Sequence, residues 1–191
     1  MAREITLGVV DIGPRERAYV NDALDRRRLS PGGYVAAFEE RFARAHGCRY
    51  AVACNSGTSA LQVTLAALKE VHGWADGDEV IVPALTFIAT SNVVLYNGLT
   101  PRFVNVDVRT FDLDPAQIEA AVSPRTRAVI PVHLFGLPCD MEAIERVARR
   151  HGLVVLEDSC ETMFARCQGQ SVGSFGQLAC PRTAALAGCS A

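Results

Sequence analysis

Short apolar runs that alternate with helical stretches constrain the fold of this chain more than any other feature. Residues 50–53, 79–82, 102–106, 127–132 and 153–156 read as strands, and residues 58–71, 86–97, 114–121 and 140–151 between them carry helical patterns. Strands spaced by helices are the signature of βα units and a mainly parallel sheet, so the expected class is α/β. Strands of that kind are buried on both faces, which predicts apolar runs in place of strict alternation. Two more helices are expected upstream, over residues 14–28 and from Tyr34 to residue 46, with Phe38, Phe42 and Ala45 along one face of the second. Residues 29–33, Leu-Ser-Pro-Gly-Gly, break the pattern between them.

Composition narrows the possible functions. Hydrophobic residues make up 49% of the 191 positions and charged residues 21%, the balance of an ordinary globular domain. A net charge of −2 gives no basic excess to hold a phosphate backbone or an anionic membrane, so neither nucleic acid nor membrane is an expected partner. No apolar run is long enough to span a bilayer and no leader pattern opens the chain, so the expected compartment is the cytoplasm. The seven cysteines are irregularly spaced and form no CxxC pair, which predicts small buried residues or free thiols and no metal site. Of the 19 basic residues only Lys69 is lysine.

In parallel sheets ligands sit beyond the carboxyl ends of the strands. Four segments fall there: Asn55-Ser56-Gly57-Thr58, Pro83 to Phe87, Pro131-Val132-His133, and Glu157-Asp158. The first joins a strand to a helix through a small-residue turn. Its amides and hydroxyls suit a phosphate, although a plain helix cap needs no more than one of them. It matches neither GxxxxGK[ST] nor GxGxxG, so ATP and NAD lack support. Taken singly, Asp158 reads as a solvated strand-end carboxylate, Phe87 as a core aromatic and His133 as a histidine at the sheet rim. Taken together, a phosphate cradle, an aromatic platform and a strand-end aspartate match the needs of a phosphorylated pyridinium cofactor.

The ordered series FEERFARAHG (38–47), AVACNSGTSALQVTLAAL (51–68), DEVIVPALTFIATSNVVLYNGLTPRFVNVD (78–107), PVHLFGLPCDMEAI (131–144), VVLEDSCETMFA (154–165) and SVGSFGQLAC (171–180) resembles the DegT/StrS-type nucleotide-sugar aminotransferases. These are pyridoxal-phosphate enzymes of fold type I. The resemblance implies a three-layer α/β/α large domain and pyridoxal 5'-phosphate as cofactor, with Gly57 and Thr58 on its phosphate, Phe87 stacked on its ring and Asp158 paired with the ring nitrogen. It also implies a nucleotide-sugar substrate, an amino donor and a homodimer. Glu161 falls where the family carries a glutamine near the cofactor's ring hydroxyl, and an ionised carboxylate can only accept there.

The same resemblance predicts departures. The family's Schiff-base lysine follows the segment matching Gly176–Cys180, whereas residues 180–191 contain no lysine. Lys69 is expected some three turns along its helix, far from the cofactor, and arginine stays protonated and cannot replace a lysine base. The expected organisation is a helical segment over 1–33, a partial cofactor-binding large domain over 34–180 and an aberrant tail over 181–191, with no C-terminal small domain. The tail has no strand periodicity, so a truncated or frame-shifted reading of a longer gene is expected, inactive alone and with an unpaired sheet edge. Two alternatives stand beside it: a fragment of the family's lysine-less sugar 3-dehydratase branch, and a non-catalytic binding relic.

Overall fold

A computed structural model describes residues 11–27, 30, 32–181 and 184–187. It divides at Ala36 into two units. The first carries α1 (Pro14–Asp25), which begins behind Gly13 with Pro14 in its first turn and buries no side chain. The expected helix over 14–28 therefore stops earlier, and Arg28 and Leu29 lie outside the described residues. α2 (Gly33–His46) starts before the division and continues into the second unit.

The second unit contains β1 (Tyr50–Ala53), α3 (Gly57–His72), β2 (Glu79–Pro83), α4 (Ala89–Tyr96), β3 (Thr100–Val104), α5 (Pro115–Ala121), β4 (Thr126–Val129), α6 (Met141–His151) and β5 (Val154–Ser159). A two-stranded ribbon, β6 (Arg166–Cys167) and β7 (Gln170–Ser171), leads to β8 (Leu178–Pro181) and β9 (Ala184–Ala187). The main sheet has seven strands in the order β1-β9-β8-β5-β4-β2-β3. β8, β5, β4, β2 and β3 run parallel, and β9 is antiparallel to both its neighbours. The α/β class with a mainly parallel sheet is as expected.

Helices begin and end where the sequence supplies caps. Ser56, Asp114 and Asp140 each accept a first-turn amide of the helix that follows. Gly73 and Gly152 close α3 and α6 in the left-handed region, which glycine enters without steric cost.

Strand residues alternate between two helical layers. Val80, Val82, Ala128, Val154, Leu156 and Cys180 face Leu61, Leu65 and Leu68 of α3 and Val93 and Val94 of α4. Ile81, Val104, Val129 and Val155 face Ile118 of α5 and Ile144, Val147 and Ala148 of α6. Two helical layers on one sheet make the three-layer arrangement. α2 packs Phe42 and Ala43 against Ala51 and Ala179.

Several local expectations are corrected by sheet position. β2 and β5 are buried along their whole length, but β1 and β3 lie at the edges and are half exposed. An edge strand has neighbours on one side only, so burial on both faces fails there. β3 runs over Thr100–Val104, not 102–106, and α4 begins at Ala89, not residue 86. On α2 the buried positions are Phe42, Ala43 and His46, while Ala45 faces out. Residues 184–187, expected to lack strand character, form β9 between β8 and β1, so β8 has no open edge. Cys48 is disulfide-bonded, contrary to the free-thiol expectation, and Cys54, Cys139, Cys160, Cys167 and Cys180 are free. No helix among the described residues is long and apolar enough to cross a membrane.

Candidate cofactor site

The carboxyl ends of β1, β2, β4 and β5 surround a pocket of about 290 Å³. Its lining includes Gly57 and Thr58 from the start of α3, Thr86 and Phe87 after β2, Val132 and Leu134 after β4, and Asp158, Cys160 and Glu161 from the end of β5. All five residues singled out from the sequence, Gly57, Thr58, Phe87, Asp158 and Glu161, therefore line one cavity although they come from three separate segments.

α3 points its N-terminus into this pocket. The Ser56 hydroxyl accepts the Ser59 amide at 3.1 Å, and the Ser56 carbonyl accepts the Ala60 amide. The amides of Gly57 and Thr58 precede the first helical hydrogen bond and have no acceptor among the described residues. Two free N–H groups at the positive end of a four-turn helix form an anion site.

Phe87 is 66% exposed. The core reading of this residue is corrected because α4 starts two residues later, leaving Phe87 on the connecting loop with its ring against the cavity. An aromatic face left open in this way is a stacking surface.

Asp158 is 4% exposed, not solvated as the isolated reading had it. Sheet parity is the cause. Asp158 shares the face of Leu156 and turns toward α3 and α4, whereas Glu157 shares the face of Val155 and turns the other way. Burial pushes the Asp158 carboxyl above the usual carboxylate range, and hydrogen bonds from Cys160 and Thr90 only partly offset it. The cationic partner that a buried carboxylate calls for is absent among the described residues, and the carboxylate opens onto the pocket.

Glu161 is exposed at the mouth, where its Oε2 accepts the Phe135 amide at 3.4 Å. Phe135 sits in the left-handed region at φ 54°, and the neighbouring Gly136 amide donates to Thr162 Oγ1 at 3.0 Å. Thr162 Oγ1 in turn donates to the His133 carbonyl at 2.7 Å.

His133 lies outside the pocket and is fully buried, which corrects its placement at the rim. Its Nδ1 accepts the Cys139 amide at 3.0 Å, so Nε2 carries the proton and donates to Glu157 Oε2 at 3.1 Å. Glu157 also accepts the amides of Gly173, Phe175 and Gly176 at 2.8, 2.6 and 2.7 Å. Glu157 was visible in the sequence only as Asp158's neighbour. Its role as the anchor of the loop before β8 left no signal beyond an acid inside an apolar run.

Lys69 stands at the opposite end of α3, about 18 Å from Gly57 at 1.5 Å per residue. Its Nζ donates to the Asn97 carbonyl at 2.7 Å and pairs with Asp76. Among the described residues no amine reaches the pocket.

The sequence profile of the DegT/DnrJ/EryC1/StrS aminotransferase family matches residues 10–181. The chain is 46% identical over 176 residues to the GDP-perosamine synthase of Caulobacter vibrioides, covering 92% of this chain and 46% of that protein. It is 47% identical over 161 residues to the UDP-N-acetyl-3-dehydro-alpha-D-glucosamine 3-aminotransferase of Acidithiobacillus ferrooxidans, covering 84% of this chain and 42% of that one. Among solved structures it is similar to the E. coli GDP-4-keto-6-deoxy-D-mannose-3-dehydratase with bound hydrated pyridoxal phosphate. The TM-score is 0.89 at 28% identity, covering 95% of this chain and 50% of that one. The chain thus spans about half the length of the proteins it matches.

Proposed function

The chain belongs to the DegT/DnrJ/EryC1/StrS aminotransferase family, which is pyridoxal-phosphate-dependent, and from that premise we propose that it is the cofactor-binding part of an enzyme acting on a nucleotide-linked keto sugar. The observation that carries the reading is the single pocket shared by the open amides of α3, the bare ring of Phe87 and the buried carboxylate of Asp158.

Each of these fits one part of pyridoxal 5'-phosphate. The Gly57 and Thr58 amides, with the Thr58 hydroxyl, would hold the phosphate. Phe87 would stack on the ring, and Asp158 would hold a proton on the ring nitrogen. A pyridinium is the cation that the buried carboxylate lacks, so each relieves the other's desolvation cost. Glu161 would lie beside the ring hydroxyl as an acceptor. When bound, the cofactor supplies a conjugated electron sink for bonds at the amino-bearing carbon. The chain's own residues bind and orient it, and the walls formed by Leu61, Val132 and Leu134 exclude water. With Lys69 engaged at the far end of α3, binding is non-covalent and transamination is not expected of this chain alone.

Titration of the purified chain with pyridoxal 5'-phosphate, followed by the absorbance of the bound cofactor, tests the reading. Saturable binding that is weakened on the order of tenfold or more by Asp158→Ala and by Phe87→Ala is expected. Binding left unchanged by both substitutions would sink it. Borohydride reduction followed by mass spectrometry should find no adduct on Lys69.

A second reading, a part of a sugar 3-dehydratase, is favoured by the TM-score of 0.89 to the E. coli dehydratase. The low lysine content and Glu161 leave that branch open, although no histidine follows His151 to complete its site in this chain. Sequencing the coding DNA onward from codon 170 in all forward frames discriminates the two. A lysine soon after the segment matching β8 supports the aminotransferase, and a histidine supports the dehydratase.

A further inference from the structure

The hydrogen bonds around Asp158 form a chain that the cofactor reading does not use. Asp158 Oδ2 accepts the Thr90 hydroxyl at 2.9 Å, and Oδ1 accepts the Cys160 amide at 3.2 Å. The Cys160 thiol donates instead to the Cys180 carbonyl at 3.3 Å. Thr90 is fully buried on the first turn of α4, and its Oγ1 lies 3.0 Å from Thr86 Oγ1. Thr86 lines the pocket. A hydroxyl has one proton to give. With Asp158 ionised, the Thr90 proton goes to the carboxylate, so Thr86 donates to Thr90. The three side chains then form one directed chain from the pocket wall to the buried acid.

We propose that Thr90, backed by Thr86, is a positioning residue that fixes the Asp158 carboxylate and leaves its remaining lone pair aimed at a ring N–H in the pocket. The proposal rests on the cofactor reading above. Threonine suits the position for two reasons. Its branched Cβ restricts χ1, so the hydroxyl stays on the acid. It is also a neutral donor, which eases the cost of the buried charge without cancelling it, whereas an arginine or lysine would supply the cation that the ring must supply. The other titratable groups facing Asp158 are His133, Cys160 and Cys180. His133 is committed to Glu157, and burial pushes both thiols up, so they stay protonated.

The test uses the whole chain with pyridoxal 5'-phosphate and reads both affinity and the pH at which the bound ring loses its proton. Thr90→Val should bind on the order of tenfold more weakly, the loss of one hydrogen bond to a charged group. Its bound ring should lose the proton at a pH lower by about one. Thr90→Ser keeps the donor and should stay within about twofold of wild type. Thr86→Val removes only the outer link and should cost roughly two- to threefold. A Thr90→Val protein that matches wild type in affinity and pH profile overturns the proposal, as does Thr90→Ser behaving like Thr90→Val. Should Thr90→Val fail to fold, Thr86→Val decides: unchanged affinity and pH profile overturn it. Absence of cofactor binding by the wild type sinks the functional reading first, which keeps the two failures distinct.

Discussion

His133 and Glu157 meet at 3.1 Å in a fully buried pair, one on the segment after β4 and the other inside β5. The pair holds more than two strands together. Both Glu157 oxygens are occupied by donors, three of them amides of the loop from Gly173 to Gly176 that feeds β8. A buried carboxylate costs several kcal/mol unless its lone pairs are filled, and here the loop's turns provide the donors.

Replacing Glu157 should therefore damage the fold and not merely the loop. Glu157→Gln turns an amide NH₂ toward existing donors and should cost about 1.5–3 kcal/mol, and Glu157→Ala about 3–5 kcal/mol. Urea unfolding at constant m-value measures this. A loss under 0.5 kcal/mol for Glu157→Ala would refute the anchoring role.

Gly176 is needed for close approach. A Cβ built there would lie 2.5 Å from the Val155 carbonyl oxygen, a backbone atom of β5 that cannot move without breaking the sheet. Gly176→Ala should destabilise by about 1–3 kcal/mol, read as a lower melting temperature. Gly152→Ala, where nothing lies within 4 Å but φ is 64°, should cost about 1 kcal/mol through backbone strain alone.

The pH dependence of stability should carry the mark of Asp158. Its folded carboxyl binds a proton more tightly than the unfolded one, the reverse of a salt-bridged aspartate. Its contribution is thus fully present below the unfolded value and declines as pH rises through the raised folded value. Asp112, also raised by burial, acts in the same direction. Asp158→Asn, which cannot ionise, should lessen that decline and make the cofactor-free chain more stable at neutral pH, while weakening cofactor binding. Melting curves from pH 4 to 8 for both proteins test this. A parallel pair of curves would contradict it.

The N-terminus of α3 should separate stability from ligand binding. Ser56→Ala removes the cap on Ser59 and should cost about 1 kcal/mol. Thr58 is exposed and caps nothing, so Thr58→Ala should leave stability within about 0.5 kcal/mol. It should nonetheless weaken stabilisation by pyridoxal 5'-phosphate severalfold. Equal effects of the two substitutions on both readouts would argue against a phosphate cradle there.

Much of this was legible in the sequence. Apolar runs alternating with helical patterns determined the α/β class, because central parallel strands must be apolar on both faces, as β2 and β5 are. The helices expected from residues 114 and 140 do begin there, with Asp114 and Asp140 as their caps, because capping is local chemistry. The strand-end rule and the family resemblance picked out Gly57, Thr58, Phe87, Asp158 and Glu161, all of which line the pocket. The tertiary structure decided the rest. Adjacent acids 157 and 158 went to opposite sheet faces, one becoming a loop anchor and the other a pocket wall. Hydropathy along the chain does not register parity against layers that form from distant segments. The edge positions of β1 and β3 and the place of β9 between β8 and β1 follow from strand order. That order depends on pairings between residues far apart in sequence, which no local pattern encodes.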